Sequence, residues 1–343
     1  MQQIYKGGYN TLFSNGAFSS TFMPSKFNHM IVTIAEPIGL TAQEASVFES
    51  QLAKQGHSLE VHATRPSNGS ELLSRIKNSH VVVVSNLTVQ GEVIRKCPNL
   101  KLINVAFTGT DHIDKVVCKE LGITVCNAAG YSTNAVAELT ISSAIALFRK
   151  MGEMEQNLLK GFDRKGFLGR ELSGKTFGVV GFGAIGQRVA ELALAFGCRV
   201  LFYNRSHKVM AGVDQVSLEA LLAESDVVSL HLPLSNGTTG LINHERLRLM
   251  KPSSILINTA RGGVVDIPAL AEALRDGTIA GAAIDVYDKE PPLEKNHPLL
   301  SAPNTLLLPH IGFATEEAIH IRAAIVMENV WSWLRGTPQN IVD

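Results

Sequence analysis

Residues Thr176 to Phe196 read TFGVVGFGAIGQRVAELALAF. The apolar strand Thr176 to Val180 runs directly into Gly181-Phe182-Gly183-Ala184-Ile185-Gly186 and then into a helix from Ala184 to Phe196, the setting in which a GxGxxG run has a physical meaning. The first glycine permits the tight turn. The second removes the Cβ, so that backbone can approach a pyrophosphate, and the third lets helix pack closely on strand. The helix N-terminus, at Ala184 and Ile185, faces the phosphates with unpaired N–H groups. Gly181, Gly183, Ala184, Ile185 and Gly186 are therefore expected to bind a dinucleotide.

The next strand, Arg199 to Tyr203, should end on the acidic residue that grips the adenosine 2′-hydroxyl, but Asn204 stands there, followed by Arg205, Ser206, His207 and Lys208. A carboxylate would repel a 2′-phosphate, whereas Arg205 can bind one through paired charge-assisted hydrogen bonds and Ser206 can donate another. This favours NADP(H). The alternative is NAD(H), with Asn204 hydrogen-bonded to a ribose and Arg205 a solvated loop cation.

Working outward, the strand and helix rhythm continues with a helix Leu218 to Ala223 and strands Val227 to Leu230 and Ser254 to Asn258. A helix from Pro268 to Arg275 follows, with Asp266 as its cap, then strands Ala282 to Ile284 and Thr305 to Leu308 and a final helix Thr315 to Leu334. Upstream lies a separate series, with strands Ile31 to Ala35, Leu59 to His62, Val81 to Ser85, Lys101 to Val105 and Ile123 to Cys126 alternating with amphipathic stretches. Gly122 follows one of these helices as a C-cap would. Such alternation means parallel sheets and an α/β fold with two doubly wound domains. The segment Asn134 to Leu159, apolar at helical spacing, is expected to form one long connecting helix.

Composition narrows the function. The chain has 343 residues, 45% of them hydrophobic, enough for two cores. Its 31 basic residues balance 31 acidic ones, which removes the electrostatic motive for a nucleic-acid or anionic-membrane partner. No apolar run approaches the roughly 18 residues of a spanning helix. Cys97, Cys118, Cys126 and Cys198 lack CxxC spacing and lie in or beside apolar stretches, as buried thiols of a reducing compartment do, so a cytoplasmic location is expected. His112 and His231 belong to no HxxxH or Cys/His cluster, so no metal site is expected. Met1 to His29 is Gly-, Ser- and Asn-rich and without an acidic residue or steady period, and reads as an extension outside the fold; it lacks both the arginines of a transit peptide and the apolar centre of a signal peptide.

Several strings occur in order: AFTGTDHID (Ala106 to Asp114), STNAVAEL (Ser132 to Leu139), VVGFGAIG (Val179 to Gly186), HLPL (His231 to Leu234), INTARGGVVD (Ile257 to Asp266), GAAIDVYDKEPP (Gly281 to Pro292) and PHIGFAT (Pro309 to Thr315). With them the chain resembles the D-isomer-specific 2-hydroxyacid dehydrogenase family over residues 31 to 336, close to its glyoxylate and hydroxypyruvate reductases. The resemblance implies a catalytic triad of Arg261, Glu290 and His310. His310 would exchange the hydroxyl proton, Glu290 would fix its tautomer and favour the imidazolium, and Arg261 would clamp the substrate carboxylate and polarise the carbonyl. It also implies a cofactor contact through Asp285, with Thr259 and Gly312 flanking the nicotinamide, and substrate contacts through Asn86, Thr108 and Gly109.

The resemblance further implies two Rossmann-like domains, a substrate domain of residues 30–126 and 313–343 and a dinucleotide-binding domain of residues 127–312, with the active site in the cleft between them. The expected reaction is hydride transfer between NAD(P) and a small 2-oxo or 2-hydroxy acid. Hydroxypyruvate or glyoxylate suits the NADP-like turn best, while a D-lactate-type activity stays open, because Thr110 stands where many members carry an aromatic residue. From another class, an NAD(P)H-sensing, corepressor-like binding protein would keep the same frame, though it would be expected to carry longer tails than this chain has. Oxidation of formate or phosphite is disfavoured by Glu290 and His310 at family spacing. The apolar segment Asn134 to Leu159 predicts a homodimer.

Overall fold

The structure is a computed structural model that describes residues 27–164, 166–290 and 292–342. It divides into two compact units, one running Ser132–Ala314 and the other formed by the chain up to Tyr131 and from Thr315 onward. The expectation for Met1 to His29 falls outside the described residues up to residue 26. Of the remainder, Phe27 stacks on Trp333 at 4.6 Å between centroids.

In the split unit, β1 (Ile31–Ile34), β2 (Ser58–Val61), β3 (Val81–Val84), β4 (Leu102–Val105) and β5 (Thr124–Asn127) form one parallel sheet in the order β2-β1-β3-β4-β5. Every residue of β3 and β4 is buried, which is why both read as continuous rather than alternating apolar runs. The helix Ala42–Lys54 starts on a capping box in which Thr41 and Glu44 satisfy each other's backbone N–H groups. The C-terminal helix Glu316–Leu334, capped by Thr315, buries polar as well as apolar residues. Asn329 Nδ2 donates to Asn104 Oδ1 (3.1 Å) and to the Asn127 carbonyl (2.9 Å), and Asn104 Nδ2 donates to the Val326 carbonyl (2.8 Å). That ladder locks the helix onto β4. The strand order reverses beside β1, so a crevice opens beyond the C-terminal ends of β1 and β3.

In the continuous unit, seven parallel strands are ordered β12-β11-β10-β9-β6-β7-β8: β6 (Thr176–Val180), β7 (Arg199–Tyr203), β8 (Val213–Gln215), β9 (Val227–Leu230), β10 (Ile255–Asn258), β11 (Gly281–Ile284) and β12 (Thr305–Leu307). The order reverses between β6 and β9. Asp266 caps the helix Ile267–Arg275 by accepting from Ala269 N–H (3.0 Å), with the proline in its first turn, as the sequence indicates. Two parallel-sheet α/β units thus replace the two expected doubly wound domains with observed ones.

The single long helix expected over Asn134 to Leu159 is not formed. The chain makes two helices, Thr133–Phe148 and Met151–Leu159, because Lys150 adopts a left-handed backbone (φ 46°) and the Phe148 carbonyl accepts from Arg170 N–H instead of continuing the helical ladder. The first helix is buried on many sides; the second buries nothing.

Candidate active site

The glycine turn sits at the switch between β6 and β9, and each glycine has its own reason. Gly181 has φ +96°, and a Cβ there would lie 2.5 Å from the His231 carbonyl oxygen. A Cβ on Gly186 would lie 2.1 Å from the Gly181 carbonyl oxygen, so helix and turn touch backbone to backbone. Gly183 instead faces open space, and no side chain caps the helix Ala184–Ala195 that begins after it. Uncapped N–H donors before an open, Cβ-free surface fit the pyrophosphate of a dinucleotide.

The loop after β7 is tied to this turn. Asn204 Oδ1 accepts from Phe182 N–H (3.2 Å), while its Nδ2 donates to the Ser206 carbonyl (3.0 Å) and hydroxyl oxygen (2.9 Å). Arg205, Ser206, His207 and Lys208 are exposed. Among the described residues the side chains of Arg205, His207 and Lys208 carry no ion pair or hydrogen bond.

Further along the sheet, His310 Nδ1 lies 3.0 Å from Glu290 Oε1. A neutral imidazole that donates Nδ1–H to this carboxylate has its lone pair on Nε2, and the protonated ring carries an acidic proton there. His310 itself has φ 58°, a left-handed conformation uncommon outside glycine and found in strained functional turns. Asp285, one residue beyond β11, holds that turn: Oδ1 accepts from Ile311 N–H and Oδ2 from Gly312 N–H, both at 2.8 Å. Asp285 is 1% exposed; burial raises its pKa, opposed by the two N–H donors and the neighbouring His310. A Cβ at Gly312 would meet Asp285 Oδ2 at 2.9 Å, so glycine is what lets the backbone approach.

Arg261 follows β10 on a turn fastened by Asn258. Asn258 Nδ2 donates to the Arg261 carbonyl (2.9 Å), its Oδ1 accepts from Ala260 N–H (3.0 Å), and Arg261 Nη1 donates to the Ala260 carbonyl (2.7 Å). The next residue, Gly262, has no room for a Cβ, which would lie 2.2 Å from the carbonyl carbon of Tyr287. The arginine turn therefore abuts the chain that leads to Glu290. Thr259 Oγ1 pairs with Thr140 Oγ1 at 3.4 Å.

In the split unit, Asn86 sits at the crevice between β1 and β3. Its loop is anchored by the buried Glu36 carboxylate, which accepts from Ser85 N–H (2.7 Å) and Leu87 N–H (3.0 Å). Arg65 Nη1 donates to Asn86 Oδ1 (2.8 Å), which leaves the amide nitrogen as the outward donor. Thr108 and Gly109 lie on the turn after β4, with Thr108 exposed and its carbonyl accepting from Asn127 Nδ2 (2.7 Å); Thr110 is buried. Glu36, Arg65, Asn258 and Gln215, whose side chain bonds the 204–208 loop, were not singled out from sequence. Only Asn258, inside INTARGG, lay in a string that marked it.

His231 is no rival for the proton-transfer role. Desolvation pushes its pKa down to about 3, and Nε2 pairs with Ser229 Oγ at 3.0 Å. Among the described residues no group of three His, Cys, Asp or Glu side chains gathers as a metal site would need, and no helix is long and apolar enough to cross a membrane.

Residues 141–312, half of the chain, match the family described as D-isomer specific 2-hydroxyacid dehydrogenase, NAD binding domain. A glycerate dehydrogenase of Methylorubrum extorquens is 38% identical over 285 residues, 80% of this chain and 88% of that one. A glyoxylate reductase of Thermococcus litoralis is 41% identical over 268 residues, covering 74% of this chain and 80% of that protein. Among solved structures, an acyclic imino acid reductase (Bsp5) in complex with NADPH and D-Arg superposes with a TM-score of 0.84 at 31% identity, covering 92% of this chain and 100% of that one. Sequence likeness along most of the chain and a shared two-unit fold lead to one assignment: this chain belongs to the D-isomer specific 2-hydroxyacid dehydrogenase family, NAD-dependent oxidoreductases that act on a CH–OH group.

Proposed function

We propose that the chain is an NADP(H)-preferring reductase of small 2-oxo acids, with hydroxypyruvate or glyoxylate as its substrate, and that Arg261, Glu290 and His310 carry the reaction. The observation that bears most weight is the 3.0 Å contact of His310 Nδ1 with Glu290. It leaves Nε2 to deliver a proton to the substrate carbonyl oxygen in reduction and to remove it in oxidation. Glu290 keeps the ring in the required tautomer. Arg261 grips the acid's carboxylate with its planar fork and polarises the adjoining carbonyl. In the split unit, the Asn86 amide and the Thr108–Gly109 turn carry donors of the kind a carboxylate accepts from. When bound, the reduced nicotinamide supplies the hydride. Gly181, Gly183, Ala184, Ile185 and Gly186 seat its pyrophosphate, and Asp285, Thr259 and Gly312 flank the ring.

The preference for NADP(H) is supported by the absence of a carboxylate at the end of β7 and by the uncompensated charge of Arg205 beside Ser206. A cytoplasmic homodimer completes the reading. Its contact is the short helix Met151–Leu159 together with Leu168 rather than the whole of Asn134 to Leu159, since within that stretch large apolar side chains stand exposed only on this helix, Leu158 at 72% and Leu159 at 74%, with Leu168 beyond it at 87%.

The test follows loss of reduced-nicotinamide absorbance, with NADPH and NADH in parallel and glyoxylate, hydroxypyruvate, its 3-phosphate and pyruvate as acceptors. NADPH oxidation with hydroxypyruvate or glyoxylate is expected, reduced about 10²- to 10⁴-fold in His310→Ala. Turnover with NADH alone overturns the cofactor assignment; a preference for the phosphorylated acid or pyruvate overturns the substrate assignment. Tight cofactor binding with no turnover of any acid would favour the nucleotide-sensing protein.

A further inference from the structure

We infer that Gln215 is a positioning residue that holds the loop after β7 in the shape that accepts a 2′-phosphate, and so sets the choice between NADPH and NADH. The inference rests on the NADP(H) reading above. Gln215 ends the edge strand β8 and is in register with Phe202, two residues before Asn204, so its side chain reaches past the end of β7. Its Nε2 donates to the Asn204 carbonyl (3.0 Å) and the Ser206 carbonyl (3.2 Å), and its Oε1 accepts from Lys208 N–H (3.0 Å). One side chain thus fastens every second residue of the loop 204–208.

The polarity of these bonds matters more than their number. Carbonyl oxygens facing a phosphate would repel it, and two of the loop's carbonyls, those of Asn204 and Ser206, are engaged by Gln215 and by Asn204 Nδ2. Because Asn204 Oδ1 must accept from Phe182 N–H, Nδ2 is the donor to Ser206 Oγ. The serine hydroxyl therefore accepts within the loop and keeps its own hydrogen for an outside acceptor, which a phosphate dianion is. Arg205, His207 and Lys208 project from the same pinned loop with no carboxylate paired to them among the described residues. Gln215 touches neither a reacting atom nor the triad. Its contribution is preorganisation, which removes the ordering cost of a loop that would otherwise have to form around the phosphate.

The experiment compares the wild type with Gln215→Leu, which keeps bulk but neither donates nor accepts, by titration calorimetry with 2′,5′-ADP and with 5′-AMP, and by KM for NADPH and NADH. For Gln215→Leu, 2′,5′-ADP affinity should fall about tenfold and KM for NADPH should rise in step, with 5′-AMP affinity, KM for NADH and kcat unchanged. Equal weakening of both nucleotides, or of neither, overturns the role of Gln215. A wild type that binds 5′-AMP as tightly as 2′,5′-ADP overturns the NADP(H) reading itself, a separate result. Should Gln215→Leu be unstable, Gln215→Met gives the same comparison. In an Arg205→Ala background the loss caused by Gln215→Leu should shrink, since both act on one phosphate; full additivity would show that the glutamine acts elsewhere.

Discussion

His310 occupies a backbone conformation that costs about 1–3 kcal/mol for a residue with a side chain, and the neighbouring carboxylate of Asp285 is what holds it there. Asp285→Asn leaves one of the Ile311 and Gly312 N–H groups facing an NH₂ group. We expect a loss of about 1–3 kcal/mol in chemical denaturation at neutral pH, together with a fall in kcat as the His310 turn loosens. The pH dependence provides a check. Burial raises the Asp285 pKa on folding, so between the unfolded and folded values the native state holds the extra proton, and this group's contribution to stability declines as pH rises through that window. The asparagine variant should lack that slope. The contact of His310 with Glu290 was legible because both residues sit in strings that carry the resemblance, GAAIDVYDKEPP and PHIGFAT. The second task of Asp285 was not, since it joins residues 26 and 27 positions apart and no local pattern marks such a contact.

Among elements, the glycine turn gives the sharpest contrast. Gly186→Ala drives a methyl into the Gly181 carbonyl at 2.1 Å and should cost about 1–3 kcal/mol of stability. Gly183→Ala meets nothing, so its melting temperature should match the wild type while KM for the dinucleotide rises. Equal destabilisation of the two would contradict the open space at Gly183, and an unchanged KM in Gly183→Ala would show that its open face has no bearing on binding. Strand and helix identities were readable from buried β-branched runs and from end signals such as Gly122 (φ +67°) and Asp266. The three residues of β8 and the four of the helix His244–Leu247 were not, being too short to display a period. Helical spacing also carried the Asn134 to Leu159 reading straight through Lys150, because a left-handed residue leaves the apolar pattern on either side intact.

At the scale of the whole molecule, the exposed side chains of Leu158, Leu159, Phe162 and Leu168 predict self-association. Light scattering should give twice the chain mass of 37.0 kDa, and Leu158→Asp with Leu159→Asp should return it to the monomer; a monomeric wild type overturns the homodimer. Sequence patterning revealed both units and their winding, whereas self-association depends on where the second helix points its leucines, which only the fold decides.

The four thiols distribute unequally between the units: Cys97, Cys118 and Cys126 in the split unit, Cys198 alone in the continuous one. All are buried, and desolvation pushes each thiol's pKa up to about 11. A thiol-alkylating reagent consequently cannot modify the native chain at neutral pH until a unit opens, and which cysteine acquires the label first, read by peptide mass, identifies the unit that opens more readily. The molecule contains a separate unfolding reporter for each of its halves, with no dye attached and no residue changed.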